Sequence, residues 1–149
     1  MDWTAPPHFG AGVVLRLQNE PNAAKTAILQ AVQLDPTNPE YLWQLAEVCL
    51  TLSEPEEAIQ YLRRIENSES TFPEVYRLLG ESYRRLGEPQ KSREYFNKFQ
   101  SENLALQEEQ TRNQEVQSLL ARGEEKLQEN AVSEAQELFE QVLAKAPDN

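Results

Sequence analysis

Asn19-Glu20-Pro21, Ser53-Glu54-Pro55 and Gly87-Glu88-Pro89 are three versions of one tripeptide, and their prolines fall 34 residues apart each time. Each tripeptide stands between two stretches with helical spacing. Each proline can occupy the first turn of the second stretch, where its missing N–H costs no hydrogen bond. Each tripeptide therefore marks a tight turn between paired helices. Before the second turn, Leu42, Leu45, Ala46, Cys49 and Leu52 recur at steps of three and four,. Tyr76, Leu79, Gly80, Tyr83 and Leu86 do the same before the third. After the turns, Ala24, Ile28 and Ala31 correspond to Ala58, Leu62 and Ile65, and then to Ser92, Phe96 and Phe99, at the same 34-residue offset. A period of this length means helical units stacked on one another. The pattern predicts an all-α chain of antiparallel pairs with helices near 6–18, 21–34, 39–52, 55–67, 73–86, 89–101, 104–129 and 133–145, and no sheet.

Leu79-Gly80, Tyr83, Gly87 and Phe96 form a pattern that resembles the tetratricopeptide repeat family, and Pro36 falls where that family's repeat-ending proline does. Its 34-residue helix-turn-helix unit puts small residues where two helices touch and large ones between. The resemblance implies a right-handed α-solenoid of about four repeats, with three in tandem at 5–38, 39–72 and 73–106. The first is the least regular, because His8 and Gln18 hold places usually taken by bulky apolar residues. Gly123, Ala135, Phe139, Val142 and Pro147-Asp148-Asn149 give a fourth unit at 116–149. Ser92 in place of alanine, and Leu104 where a repeat-ending proline would fall, depart from the pattern between them.

The fourth unit is displaced. Gly80 to Gly123 is 43 residues, nine more than the period, and the extra stretch at 107–115 reads Gln-Glu-Glu-Gln-Thr-Arg-Asn-Gln-Glu. It holds no apolar residue, glycine or proline, and good helix formers dominate it, so it reads as a solvated helical insertion. A break near Ser101 to Asn103, whose side chains can cap a new helix, would open a longer helix ahead of the last hairpin. Leu127, Leu138, Phe139, Val142 and Leu143 must find cover there, from the third repeat or a second copy of the chain. A homodimer through the long helix and final hairpin is the expected form, since a two-fold contact buries the same patch on both subunits.

The 149 residues carry 14 basic against 25 acidic groups, a net charge of −11, which argues against nucleic acid or an anionic membrane surface as partner,. The apolar runs are far too short for a membrane span. Cys49 is the single cysteine, so no internal disulfide forms and no Cys/His cluster is available for zinc,. A reducing, cytoplasmic setting fits. Catalysis finds no support: His8, the only histidine, falls on the inward stripe of the first helix with no nucleophile at a recognisable spacing,. Cys49 aligns with the core position of Tyr83 and reads as buried and chemically quiet. No glycine-rich phosphate loop is present. Glu56-Glu57, Glu108-Glu109 and Glu124-Glu125 lie on solvated helix faces. No enzyme activity, cofactor or metal is expected.

What remains is a surface. In such solenoids the first helix of each pair lines the concave side. By register this implies Phe9, Val13 and Arg16 in the first repeat, Glu40, Trp43, Glu47 and Leu50 in the second, and Arg77, Glu81 and Arg84 in the third. Trp43 is a groove anchor, or else it covers the seam between repeats or packs against the amino-terminal segment around Trp3. Arg77, Arg84 and Arg85 grip a carboxylate or an acidic peptide, or else form an ion-pair ladder with Glu81, which stands four after Arg77. Chaperone-binding members of the family hold a terminal carboxylate with a clamp of lysine, asparagine and arginine. The matching positions here are Phe9, Val13, Gln44, Glu74 and Leu78, so that clamp is absent. The leading expectation is a non-catalytic module that binds a peptide or helix of a partner protein in this groove. The alternative is a structural scaffold or self-association domain, a fragment of a larger protein whose last unit lacks a polar capping helix.

Overall fold

Six of the seven helices in the computed structural model, which describes residues 7–146, open on a proline. They are α1 (Pro7–Leu17), α2 (Pro21–Leu34), α3 (Pro39–Thr51), α4 (Pro55–Glu66), α5 (Pro73–Arg85) and α6 (Pro89–Gln128); the seventh, α7 (Val132–Lys145), opens on valine. The described residues contain no strand. Asn38 caps α3, its side-chain oxygen accepting from the N–H groups of Glu40 and Tyr41 at 3.1 and 3.4 Å,.

The turns between paired helices share one construction. The backbone enters the left-handed region at Asn19, Ser53 and Gly87, with φ of 61°, 62° and 73°. In each, the next N–H reaches back five residues: Glu20 to the Leu15 carbonyl, Glu54 to Cys49, Glu88 to Tyr83. This is a glycine-type helix stop, which satisfies carbonyls the helix end would leave orphaned. Asn130, with φ of 62° and the Ala131 N–H bonded to the Lys126 carbonyl, is a fourth copy. Val132 takes its proline's place.

The small residues sit where the helices of a pair meet. A Cβ on Gly12 would lie 2.4 Å from Ile28, one on Gly80 3.1 Å from the Phe96 ring, and one on Gly123 2.8 Å from Phe139. Each glycine precedes its partner by the same sequence distance, so the close approach recurs in register.

The expected break near Ser101 to Asn103 does not occur, and seven helices stand where eight were expected. From Gln90 to Arg122 no residue lacks an N–H or a Cβ. Ser101 and Asn103 can cap a helix, but nothing there interrupts the ladder of backbone bonds. Residues 107–115 lie within α6 and are exposed. His8 is exposed as well, not inward: the inward stripe of α1 is Phe9 and Gly12. Trp3 and Pro147-Asp148-Asn149 lie outside the described residues.

Packing divides the chain into two units, Met1–Ser101 and Glu102–Asn149. In the first, successive helices pack in antiparallel pairs, and α3 also touches α1 and α5. Ile28, Leu42, Leu45, Leu62, Ile65 and Leu79 are fully buried there. The second unit has a small core of Val116, Leu119, Leu138 and Val142, with Leu120 and Ala146 against it. Leu127 and Leu143 remain about half exposed.

Candidate functional site: a cleft between α1, α3 and α5

The steps from Glu40 to Gln44, Glu47 and Thr51 run down one face of α3, because residues three and four apart share a helix face. Beside that face the first unit opens a cleft of about 330 Å³. Arg16 lines it from α1; Glu47, Leu50 and Thr51 from α3; Arg77, Leu78, Glu81 and Arg85 from α5. Five residues expected to line a groove thus converge there: Arg16, Glu47, Leu50, Arg77 and Glu81.

The other five lie elsewhere. Phe9 is core, its ring 4.5 Å from that of Tyr41, since the α1 stripe turns it toward α3. Val13 is half-buried against the same core. Glu40 accepts from the Gln44 amide at 3.1 Å. Trp43 meets Phe72 edge-on at 6.3 Å, at the seam between second and third pairs. Arg84 is largely exposed and holds Glu81. Thr51 was not anticipated, and Leu78 was named only as a position of the clamp that this chain lacks. Extending the four-residue step beyond Glu47 would have found Thr51.

The cleft's charges are unevenly partnered. Glu81 receives Arg84 at 2.6 Å and Arg85 at 2.8 Å. Burial pushes its carboxyl up, but the bonds from Arg85 and Arg84 outweigh this and hold it below the usual range,. Arg85 also donates to the Leu50 carbonyl, a cation at the end of α3 where the helix dipole favours one,. Glu47 has only a loose ion pair, 3.7 Å from Arg16. Burial raises its carboxyl, with Arg16 and Arg77 opposing and Glu40 adding. Among the described residues Arg77 has no carboxylate within ion-pair distance; the ladder through Glu81 is taken by Arg84 and Arg85. Among the described residues four buried polar side-chain atoms have no hydrogen-bond partner: Arg16 Nε, Trp43 Nε1, Gln44 Oε1 and Glu47 Oε2.

Cys49 is fully buried as expected, but in company the sequence did not reveal. Its sulfur and the carboxylates of Glu54 and Glu57 lie within 4.8 Å of one another. Lys25 on α2 reaches in, 2.5 Å from Glu54 and 2.8 Å from Glu57, and its ammonium serves as their counter-charge. Burial pushes the thiol up to about 12, against the pull of Lys25 and with Glu57 and Glu54 adding to it. Such a thiol is a poor nucleophile.

The folded chain keeps the Cys49 proton at pH values where an unfolded thiol, with a pKa near about 8.5, has lost it. Lys25 acts in the same direction: burial opposes its charge, yet its bonds to Glu54 and Glu57 raise its pKa. Above about pH 8.5 the unfolded chain therefore holds fewer protons than the folded one, and stability falls as pH rises. The unfolding free energy will decline toward pH 10.5 by up to about 1.4 kcal/mol per pH unit through Cys49, while Lys25, with an unfolded pKa of about 10.4, adds its loss only above that pH,. Urea titrations of wild type and Cys49→Ala at pH 7.5, 9.5 and 10.5 check this. Equal slopes in the two chains would remove Cys49 as a cause.

Tetratricopeptide repeat models match residues 15–82 and 74–103, which together cover the first unit from the last turn of α1 onward. The chain belongs to the tetratricopeptide repeat family. Its fold is shared by MamA, with a TM-score of 0.62 at 22% identity over 94% of this chain and 77% of that one. A MamA from Desulfovibrio magneticus RS-1 gives 0.63 at 17% identity, covering 98% and 77%. YrrB, described as a TPR protein with an unusual peptide-binding site, gives 0.60 at 15% identity, covering 98% and 88%. At these identities the likeness concerns the fold alone. No curated protein matches the sequence. Tetratricopeptide repeats are generally protein-interaction modules and typically carry no catalysis. No helix among the described residues is long and apolar enough to cross a membrane.

Proposed function

We propose that this tetratricopeptide repeat protein is a non-catalytic binding module that receives a peptide or helix of a partner protein in the cleft between α1, α3 and α5. The observation that carries the reading is the pair of buried polar atoms without hydrogen-bond partners on two residues that line the cleft, Arg16 Nε and Glu47 Oε2. A buried polar group without a partner costs about 1–3 kcal/mol, and native folds keep few of them. One of these atoms donates and one accepts, which is what a peptide backbone offers in return. Leu50 and Leu78 supply an apolar floor. The repeats are drawn at 5–38, 39–72 and 73–106, with an insertion at 107–115 and a fourth unit at 116–149. The recurrent turns at Asn19, Ser53, Gly87 and Asn130 support these boundaries. A cytoplasmic setting suits the buried free thiol.

A self-associating scaffold is the second reading. Leu104, Leu106, Leu127, Val132 and Leu143 stay exposed in the second unit, where a homodimer through α6 and α7 would cover them,.

Thr51 is exposed at the cleft, so Thr51→Trp obstructs the cleft without entering the core. Twelve-residue peptides selected by display on the full chain will bind this variant about tenfold or more weakly, a loss of at least about 1.4 kcal/mol. Binding unchanged by Thr51→Trp but lost in Leu143→Asp would transfer the role to the second unit.

A further inference from the structure

Three arginines and two glutamates line the cleft, an excess of one positive charge on a chain of net charge −11. The excess resides at Arg77. Arg84 and Arg85 share Glu81, and Arg16 leans on Glu47. Arg77 is half-buried among these groups and has no described carboxylate of its own. A guanidinium in that position is a planar fork of donors whose best complement is a carboxylate, held by two parallel bonds. Leu50 and Leu78 lie beside it.

We infer that the segment received in this cleft is acidic, presenting an Asp or Glu side chain to Arg77 and a neighbouring apolar side chain to Leu50 and Leu78. The inference rests on the peptide-binding reading above and adds the chemistry of the partner. A basic peptide is disfavoured: Glu81 already has two arginines, Glu47 is shared, and Arg77 would face a like charge. The chain's overall negative charge does not forbid an acidic ligand. At physiological salt, exposed charges farther away than about 8 Å are largely screened, whereas those lining the cleft act at contact. A nucleic-acid backbone, with its charge spread along the surface, meets the acidic exterior instead. A ligand backbone N–H can serve Glu47 Oε2, and a ligand carbonyl can serve Arg16 Nε. The seat is therefore selective for the pairing of an acid with an apolar neighbour.

The test uses a random twelve-residue display library on the full-length chain. Enriched sequences will carry Asp or Glu at one fixed position next to an apolar residue. In the synthesised peptide, replacing that acid by its amide will weaken binding to the wild type about tenfold or more, the loss expected of a charged hydrogen bond. The same replacement will change binding to Arg77→Gln little, and Arg77→Lys will retain part of the preference. Enriched peptides that are basic or neutral throughout, or an amide penalty equal in wild type and Arg77→Gln, would overturn the acidic assignment. Should Arg77→Gln fail to fold by circular dichroism, the amide replacement on the wild type, repeated at 50 and about 500 mM salt, decides alone: a penalty that shrinks with salt supports the assignment and its absence overturns it. Peptides that bind Thr51→Trp as well as the wild type would instead count against the cleft itself, a separate failure.

Discussion

Replacing Leu45 with alanine will lower the unfolding free energy of the first unit by about 2–5 kcal/mol. Leu45 has no exposed surface, on the inward stripe of α3. Truncation there removes apolar contacts and leaves a cavity that a stack of helix pairs collapses into only in part. Each pair draws stability from its neighbours, so a hole in the middle pair weakens both interfaces at once. Trp43 lies on the same helix and reports the transition in a Trp3→Phe background, which leaves it the only tryptophan. Urea unfolding followed by its fluorescence measures the change, and a loss under about 1 kcal/mol would mean that the site relaxes far better than a close-packed interior should.

Leu138→Asp will melt the second unit while leaving the first folded. That unit's core is four buried residues with two partly buried ones against it, and Leu138 is one of the two that α7 contributes. An aspartate in that position must be neutralised or pulled into water, at a cost of several kcal/mol that so small a core cannot absorb. The amides of Val132–Lys145 should then exchange at rates close to an unprotected chain, while those of Pro39–Thr51 keep wild-type protection,. Even in the wild type, α7 amides will exchange about a hundredfold or more faster than the most protected amides of α3, a difference of about 2.7 kcal/mol in opening free energy. Equal protection in α3 and α7 would show that the second unit has support beyond its visible core.

The reading of the chain succeeded where one residue type decides one local event. A proline can begin a helix but not continue one, so Pro21, Pro55 and Pro89 fixed three helix starts and the 34-residue period,. Gly80 and Gly123 marked close approaches because any larger side chain collides with the rings of Phe96 and Phe139. It failed at Ser101 to Asn103, where capping residues are permissive and the outcome rests on whether anything competes with the helix ladder,. The turn at Asn130 was placed between the last two helices but not read as a fourth copy of the other three, because Val132 lacks the proline that labels them, although asparagine tolerates the left-handed backbone nearly as glycine does,.

The candidate site divides in the same way. Register alone placed Glu47 and Leu50 on one face of α3, because helical periodicity is a local property. Which of three nearby arginines takes Glu81 is a competition that spacing alone leaves open. The four-residue spacing of Arg77 and Glu81 permits a ladder, yet Arg84 and Arg85, bound from the following turn, occupy Glu81 and leave Arg77 facing the cleft. Lys25, Cys49, Glu54 and Glu57 likewise belong to three helices and meet only when α2 and α4 pack on α3. The amino-acid order by itself determined the repeat, the helix pairs and the turns, since proline, glycine and apolar period act over a few residues. The tertiary structure decided the burial of Phe9 and the ion pairs between helices, such as Arg16 with Glu47 and Lys25 with Glu57, because those depend on groups that only packing brings within reach.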